Sequence, residues 1–111
     1  MQYMLLVYDD PKAWPELSED EYKGIYDEYA AVSQDAATKH SAQLKGTEEA
    51  KTVRIKDGDT LVTDGPFAET KEQLGGYYVL ECDNIDEALT YAAKIPAAEH
   101  GSVEVRPVWA M

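Results

Sequence analysis

A chain of 111 residues with a hydrophobic fraction of 44% fits one domain, residues 1–111, that buries about two thirds of the surface its unfolded form would expose. With 22 acidic and 10 basic side chains the formal net charge is -12, which excludes binding along a nucleic-acid backbone, because that needs a basic stripe and the cations here are scattered among acids. A single cysteine, Cys82, excludes an internal disulfide and any cysteine-spaced metal site, and it fits a reducing, cytoplasmic setting.

Met1 to Tyr8 reads as a strand with apolar residues on both faces, so it needs cover on both sides. It has no positive n-region and is too short for a signal core or a membrane span. Asp9, Asp10 and Pro11 end it, and Trp14 and Pro15 lie in the following loop. Ser18 opens a helix by a capping box with Glu21, with Leu17 and Tyr22 at the staple positions. Tyr22, Ile25, Tyr26, Tyr29, Val32 and Ala36 recur at helical spacing, which predicts one apolar stripe running to about Thr38 with His40 at the helix C-terminus.

Ser41 to Leu44 is a candidate short strand, and Thr52 to Lys56 is a clearer one. The turn Asp57-Gly58-Asp59 returns the chain through Thr60 to Thr63 as a hairpin. Gly75 and Gly76 lead into a strand from Tyr77 to Cys82, again apolar on both faces. Asn84 and Glu87 cap a second helix with Ile85, Ala88, Leu89, Ala92 and Ala93 inward, Pro96 stops it, and a last strand starts at Ser102. The order predicts an α+β fold: a ferredoxin-like split β-α-β antiparallel sheet with two helices on one face. The second face, with Leu5 or Leu6 and Tyr77 or Tyr78, then lacks cover from within the chain. A second copy is the simplest cover, giving a dimeric α+β barrel whose intersubunit cleft is a natural cavity for a small organic ligand.

Residues 64 to 72, Asp-Gly-Pro-Phe-Ala-Glu-Thr-Lys-Glu, form the densest cluster of specialised residues. Gly65 takes positive φ readily, Pro66 fixes φ and Asp64 folds back onto amides, so this is a rigid turn presenting charged groups. Asp64 is a candidate general base if the barrel interior desolvates it, against the commoner turn chemistry of an Asp before Gly-Pro, in which it caps the turn by accepting backbone amides. Phe67, Glu69 and Lys71 are candidate ligand contacts at the barrel mouth, with Glu69, Lys71 and Glu72 alternatively a solvated cluster. Glu104 and Arg106 share a strand face and, with Arg54, either join Glu81 or Asp64 in an ion-paired network that lines the cavity or form surface cross-strand pairs; in the first case Arg54 and Arg106 would clamp a ligand carboxylate. Tyr78 offers a hydroxyl to a ligand. His40 and His100 suit structural or surface roles, and no metal or other cofactor is expected.

The run Asp64-Gly65-Pro66-Phe67-Ala68-Glu69-Thr70-Lys71-Glu72-Gln73-Leu74-Gly75-Gly76-Tyr77-Tyr78, followed by Ala88-Leu89 and by Gly101 to Pro107, resembles the DGPF group of YCII-related proteins over nearly the full chain. The resemblance implies a dimeric α+β barrel, a small bacterial protein and, in some relatives, a link to extracytoplasmic-function sigma factors. Acid-base catalysis in other members is assigned to a His-Asp pair with the His on the first helix, and a related dehalogenase of chlorinated hydroquinones uses similar equipment. Here that helix offers tyrosines instead, so the His-Asp mechanism does not transfer. Two functions follow as expectations: a small-molecule binder with acid-base or lyase-like activity centred on Asp64, or a non-catalytic interaction or regulatory module.

Overall fold

The computed structural model describes residues 1–110. Four strands, β1 (Gln2–Asp9), β2 (Thr38–Gln43), β5 (Gln73–Glu81) and β6 (Ser102–Pro107), form an antiparallel sheet in the order β2-β5-β1-β6. Helix α1 (Glu19–Gln34), helix α2 (Ile85–Ala92) and the short α3 (Ala97–His100) lie on one face. Strands β3 (Lys51–Lys56) and β4 (Asp59–Asp64) pair only with each other as a separate hairpin. The α+β, ferredoxin-like reading therefore holds, with β1 and β5 as the central pair.

Register decides which side is the core. Tyr3, Leu5 and Val7 pair with Leu80, Tyr78 and Gly76, and these residues point at the helices, where Val32, Ala88, Ala92, Ile95 and Ala97 complete the buried cluster. Leu5, Leu80 and Ile95 are fully buried, each contributing about 1.5–3 kcal/mol over an exposed side chain. The alternate residues Met4, Leu6, Tyr77 and Val79 turn to the opposite face and stay partly exposed, as expected of strands apolar on both sides. No element of the described chain lies across them.

Helix α1 starts where expected but departs from expectation in its packing and at its C-terminal end. Its capping box forms, Glu21 N–H donating to Ser18 Oγ and Ser18 N–H to Glu21 Oε1. The predicted stripe is buried only at Val32, while Tyr22 and Tyr26 remain exposed because the first half of the helix stands off the sheet. The helix also stops at Gln34 and not near Thr38. Asp35 Oδ1 accepts from the Ala37 N–H (2.9 Å), and the Thr38 hydroxyl donates to the Val32 carbonyl (2.6 Å), so side chains take over the last turn. His40 is consequently a strand residue, its ring 5.5 Å from that of Tyr77. In α2 the inward residues are Ala88 and Ala92; Ile85 and Leu89 lie exposed at its margin. Gly75 and Gly76 fall inside β5, which starts at Gln73.

Two glycines test the packing in opposite directions. A Cβ on Gly101 would stand 2.2 Å from the Tyr8 carbonyl oxygen, whereas one on Gly24, mid-helix, would meet nothing within 4 Å. Gly101→Ala should lower unfolding stability by about 1–3 kcal/mol, and Gly24→Ala should raise it by about 0.5–1 kcal/mol, both read from denaturant unfolding.

Candidate functional site

The residues singled out in the sequence occupy three places. Asp64 closes β4 with its side chain 86% exposed and paired to Lys51 across the hairpin (2.5 Å). Gly65, at φ 95°, is anchored by its N–H donating to the Ala50 carbonyl (2.7 Å) and its carbonyl accepting from the Thr52 hydroxyl (2.9 Å). The turn is thus held through Gly65 by Ala50 and Thr52, while the Asp64 carboxylate accepts from Lys51 and does not fold back onto the turn amides as the sequence suggested. Arg54, Glu69 and Lys71 are exposed, and Phe67 is 79% exposed.

Glu104 and Arg106 sit on the open face of β6 opposite Leu6 and Met4, and they pair with each other, Arg106 Nε donating to Glu104 Oε2 at 2.8 Å. Glu81 binds the Met1 amino group, so neither Glu81 nor Asp64 extends that pair into a network. Tyr78 faces the helices: it is buried, and its hydroxyl donates to the Tyr29 carbonyl (3.3 Å). Burial also pushes the Cys82 thiol up, which keeps it a neutral core group.

Two concavities meet at the β2–β5 end of the sheet, separated by the segment 44–47. The first, about 820 Å³, lies between that segment, the hairpin base and the 66–74 loop; Tyr8, Phe67 and Leu74 are among its walls. The second, about 720 Å³, is the space left where α1 stands off the sheet, walled by Trp14, Tyr22, Tyr26, Tyr29 and Tyr78. Of the residues proposed from sequence, Phe67 lines the first and Tyr78 the second. Asp64, Arg54, Glu69, Lys71, Glu104 and Arg106 line neither.

The second groove holds one constellation that sequence reading passed over. Asp9, the last residue of β1, enters it just beyond a bulge at Val7/Tyr8. Its Oδ2 accepts from Trp14 Nε1 (2.8 Å), and the indole packs at a tilt of 39° against the His100 ring, centroids 4.5 Å apart. Gly75 stands beside the other oxygen, where a Cβ would lie in ordinary contact, 3.7 Å from Oδ1, and among the described residues that oxygen takes no hydrogen bond. Tyr29 is pushed up to about 12, first by burial and then by the negative charge of Asp9. Its phenol keeps its proton at neutral pH and serves there as a hydrogen-bond donor, not as an acid, within reach of the Asp9 charge. Among the described residues no three His, Cys, Asp or Glu side chains gather to hold a metal ion. The available signal was a carboxylate at the end of a two-faced apolar strand with a tryptophan five residues later.

The family model of the YCII-related domain matches residues 1–111. A relative from Rhizobium meliloti (strain 1021), itself an uncharacterised protein, is 39% identical over 114 residues, covering 97% of this chain and 92% of its own length. Among solved structures, the 5-chloro-2-hydroxyhydroquinone dehydrochlorinase of Burkholderia phenoliruptrix AC1100, in complex with 2,5-dihydroxybenzoquinone, superposes with a TM-score of 0.55 over 98% of this chain and 94% of that one, at 13% identity. That likeness establishes a shared fold. No helix of the described residues is long and apolar enough to cross a membrane.

The coupling of Asp9 to Tyr29 is directly measurable. Asp9→Asn removes a negative charge that raises Tyr29, so the highest-pH phenolate step in an ultraviolet titration should move down, and Tyr29→Phe should abolish it. Because the folded value is raised from 10.0 to about 12, the stability linked to Tyr29 is complete below 10.0 and lost as pH climbs through about 12.

Proposed function

The chain belongs to the YCII-related domain family, and from that premise we propose that it binds a small organic molecule and performs acid-base chemistry of the lyase type on it. The observation that carries the proposal is the Asp9–Trp14–Tyr29 arrangement in the groove under α1. Aromatic walls and a volume of about 720 Å³ suit a small planar ligand, and the net charge of -12 favours a neutral or cationic one. The indole N–H fixes one oxygen of Asp9, so the other is oriented to take a proton from carbon or oxygen, while the Tyr29 phenol donates to the atom on which charge develops. The dehydrochlorinase of the same fold, in complex with 2,5-dihydroxybenzoquinone, supports a reaction of this type.

In this reading the base is Asp9 and not Asp64, because Asp64 lies in solvent and is committed to Lys51. Phe67, Glu69 and Lys71 stand outside the groove, where they border the entrance or a neighbouring subunit. The functional unit is a homodimer, since the open face carrying Met4, Leu6, Tyr77 and Val79 is an apolar surface that a second copy covers. The competing reading, an interaction module of the kind linked to extracytoplasmic-function sigma factors, draws on Phe67 alone, whose ring is held out on a rigid turn.

Trp14 reports on the groove. In a Trp109→Phe background, which removes the other indole, small phenols and quinones should quench Trp14 fluorescence saturably. Asp9→Asn should weaken that binding by about tenfold or more, the scale of one lost charge-assisted hydrogen bond. Absence of quenching and of any thermal shift across such a ligand set would reject the binding site and leave the interaction module standing.

A further inference from the structure

The β3–β4 hairpin is unlike the rest of the chain. It has no extensive contact with another element, its base is fixed by bonds from Ala50 and Thr52 to Gly65, and Val53, Ile55 and Val62 share one face at 61%, 75% and 58% exposure. A lone two-stranded hairpin is marginal in water, and one with an aliphatic face is also an aggregation hazard. The Cα radius of gyration is 16.0 Å, whereas a compact chain of this size has about 13 Å. Extents of 46 × 42 × 18 Å describe a slab one sheet and one helix layer thick, extended in its own plane.

Charge is distributed in the same uneven way. Residues 51–64 carry Lys51, Arg54 and Lys56 against Asp57, Asp59 and Asp64, so the hairpin is neutral and the rest of the chain holds the whole net charge of -12. It is the stretch that can lie on a second acidic copy without adding like-charge repulsion.

We infer that the hairpin is an exchange arm: in the homodimer each arm reaches past its own body and lays Val53, Ile55 and Val62 on the other subunit. The inference rests on the reading that the open sheet face meets a second copy, and it adds where the arm goes. Two-fold symmetry makes the contact occur twice, so each arm residue counts double in the dimer. Arm and sheet then form a continuous isologous interface, with the 64–72 turn, rooted at the arm base, carried to its edge.

The test mixes isotope-labelled and unlabelled chains and asks whether the Ile55 and Val62 methyls show intermolecular nuclear Overhauser effects. They should do so, and Val53→Asp/Ile55→Asp should raise the dimer dissociation constant by at least about tenfold in sedimentation while the Leu5 and Leu80 methyl signals stay in place. A dimer whose arm methyls see only their own chain, with its dissociation constant unchanged by the double substitution, would overturn the exchange arm and leave the sheet-face dimer intact. A monomeric wild-type chain would overturn both.

Discussion

A sheet whose two central strands are apolar on both faces can be closed on only one of them by two helices. That constraint arises from Met1 to Tyr8 and from Tyr77 to Val79, and most of the architecture answers it. The covered face takes Tyr3, Leu5, Val7, Tyr78 and Leu80 and buries them under α1, α2 and α3. The other face keeps Met4, Leu6, Tyr77 and Val79 partly in water, with His40 and the Glu104–Arg106 pair toward its edges. Two-residue periodicity allots these side chains so strictly that no local rearrangement could hide both sets. Among the described residues no element covers the second set.

Elements with strong local chemistry were legible in the sequence. The Ser18–Glu21 box, the Asn84 cap, the Asp57-Gly58 turn and the alternation in β3 all appear where their residues placed them. The end of α1 was not legible, because Asp35 and Thr38 stop it through side-chain bonds to a nearby amide and carbonyl, a signal that an apolar stripe overrides when only periodicity is read. The exposure of Tyr22 and Tyr26 was hidden for a related reason. Helical spacing specifies a face, but not how closely that face approaches its neighbour.

The site shows the same division. The 64–72 turn announces itself through Asp, Gly and Pro, and its backbone geometry follows those residues. Asp9, Trp14 and Tyr29 come from three unrelated local contexts, a strand end, a loop and a helix, and only the tertiary fold brings them together. Gly75 and Gly101 contribute by omission. The first leaves room beside the Asp9 carboxylate, and the second lets the chain pass against the Tyr8 carbonyl so that α3 can present His100 to the indole.

The Asp57-Gly58 tip, with φ of 53° and 83°, is a two-residue primed turn whose twist matches that of its strands. It also makes the hairpin a ruler with discrete marks. Adding one residue to each strand would swap its aliphatic and charged faces, so a variant that keeps Val53, Ile55 and Val62 on the same side must grow or shrink by two residues per strand, a step of about 7 Å in reach. The reach of the hairpin is therefore adjustable only in quanta, and the pleat sets their size.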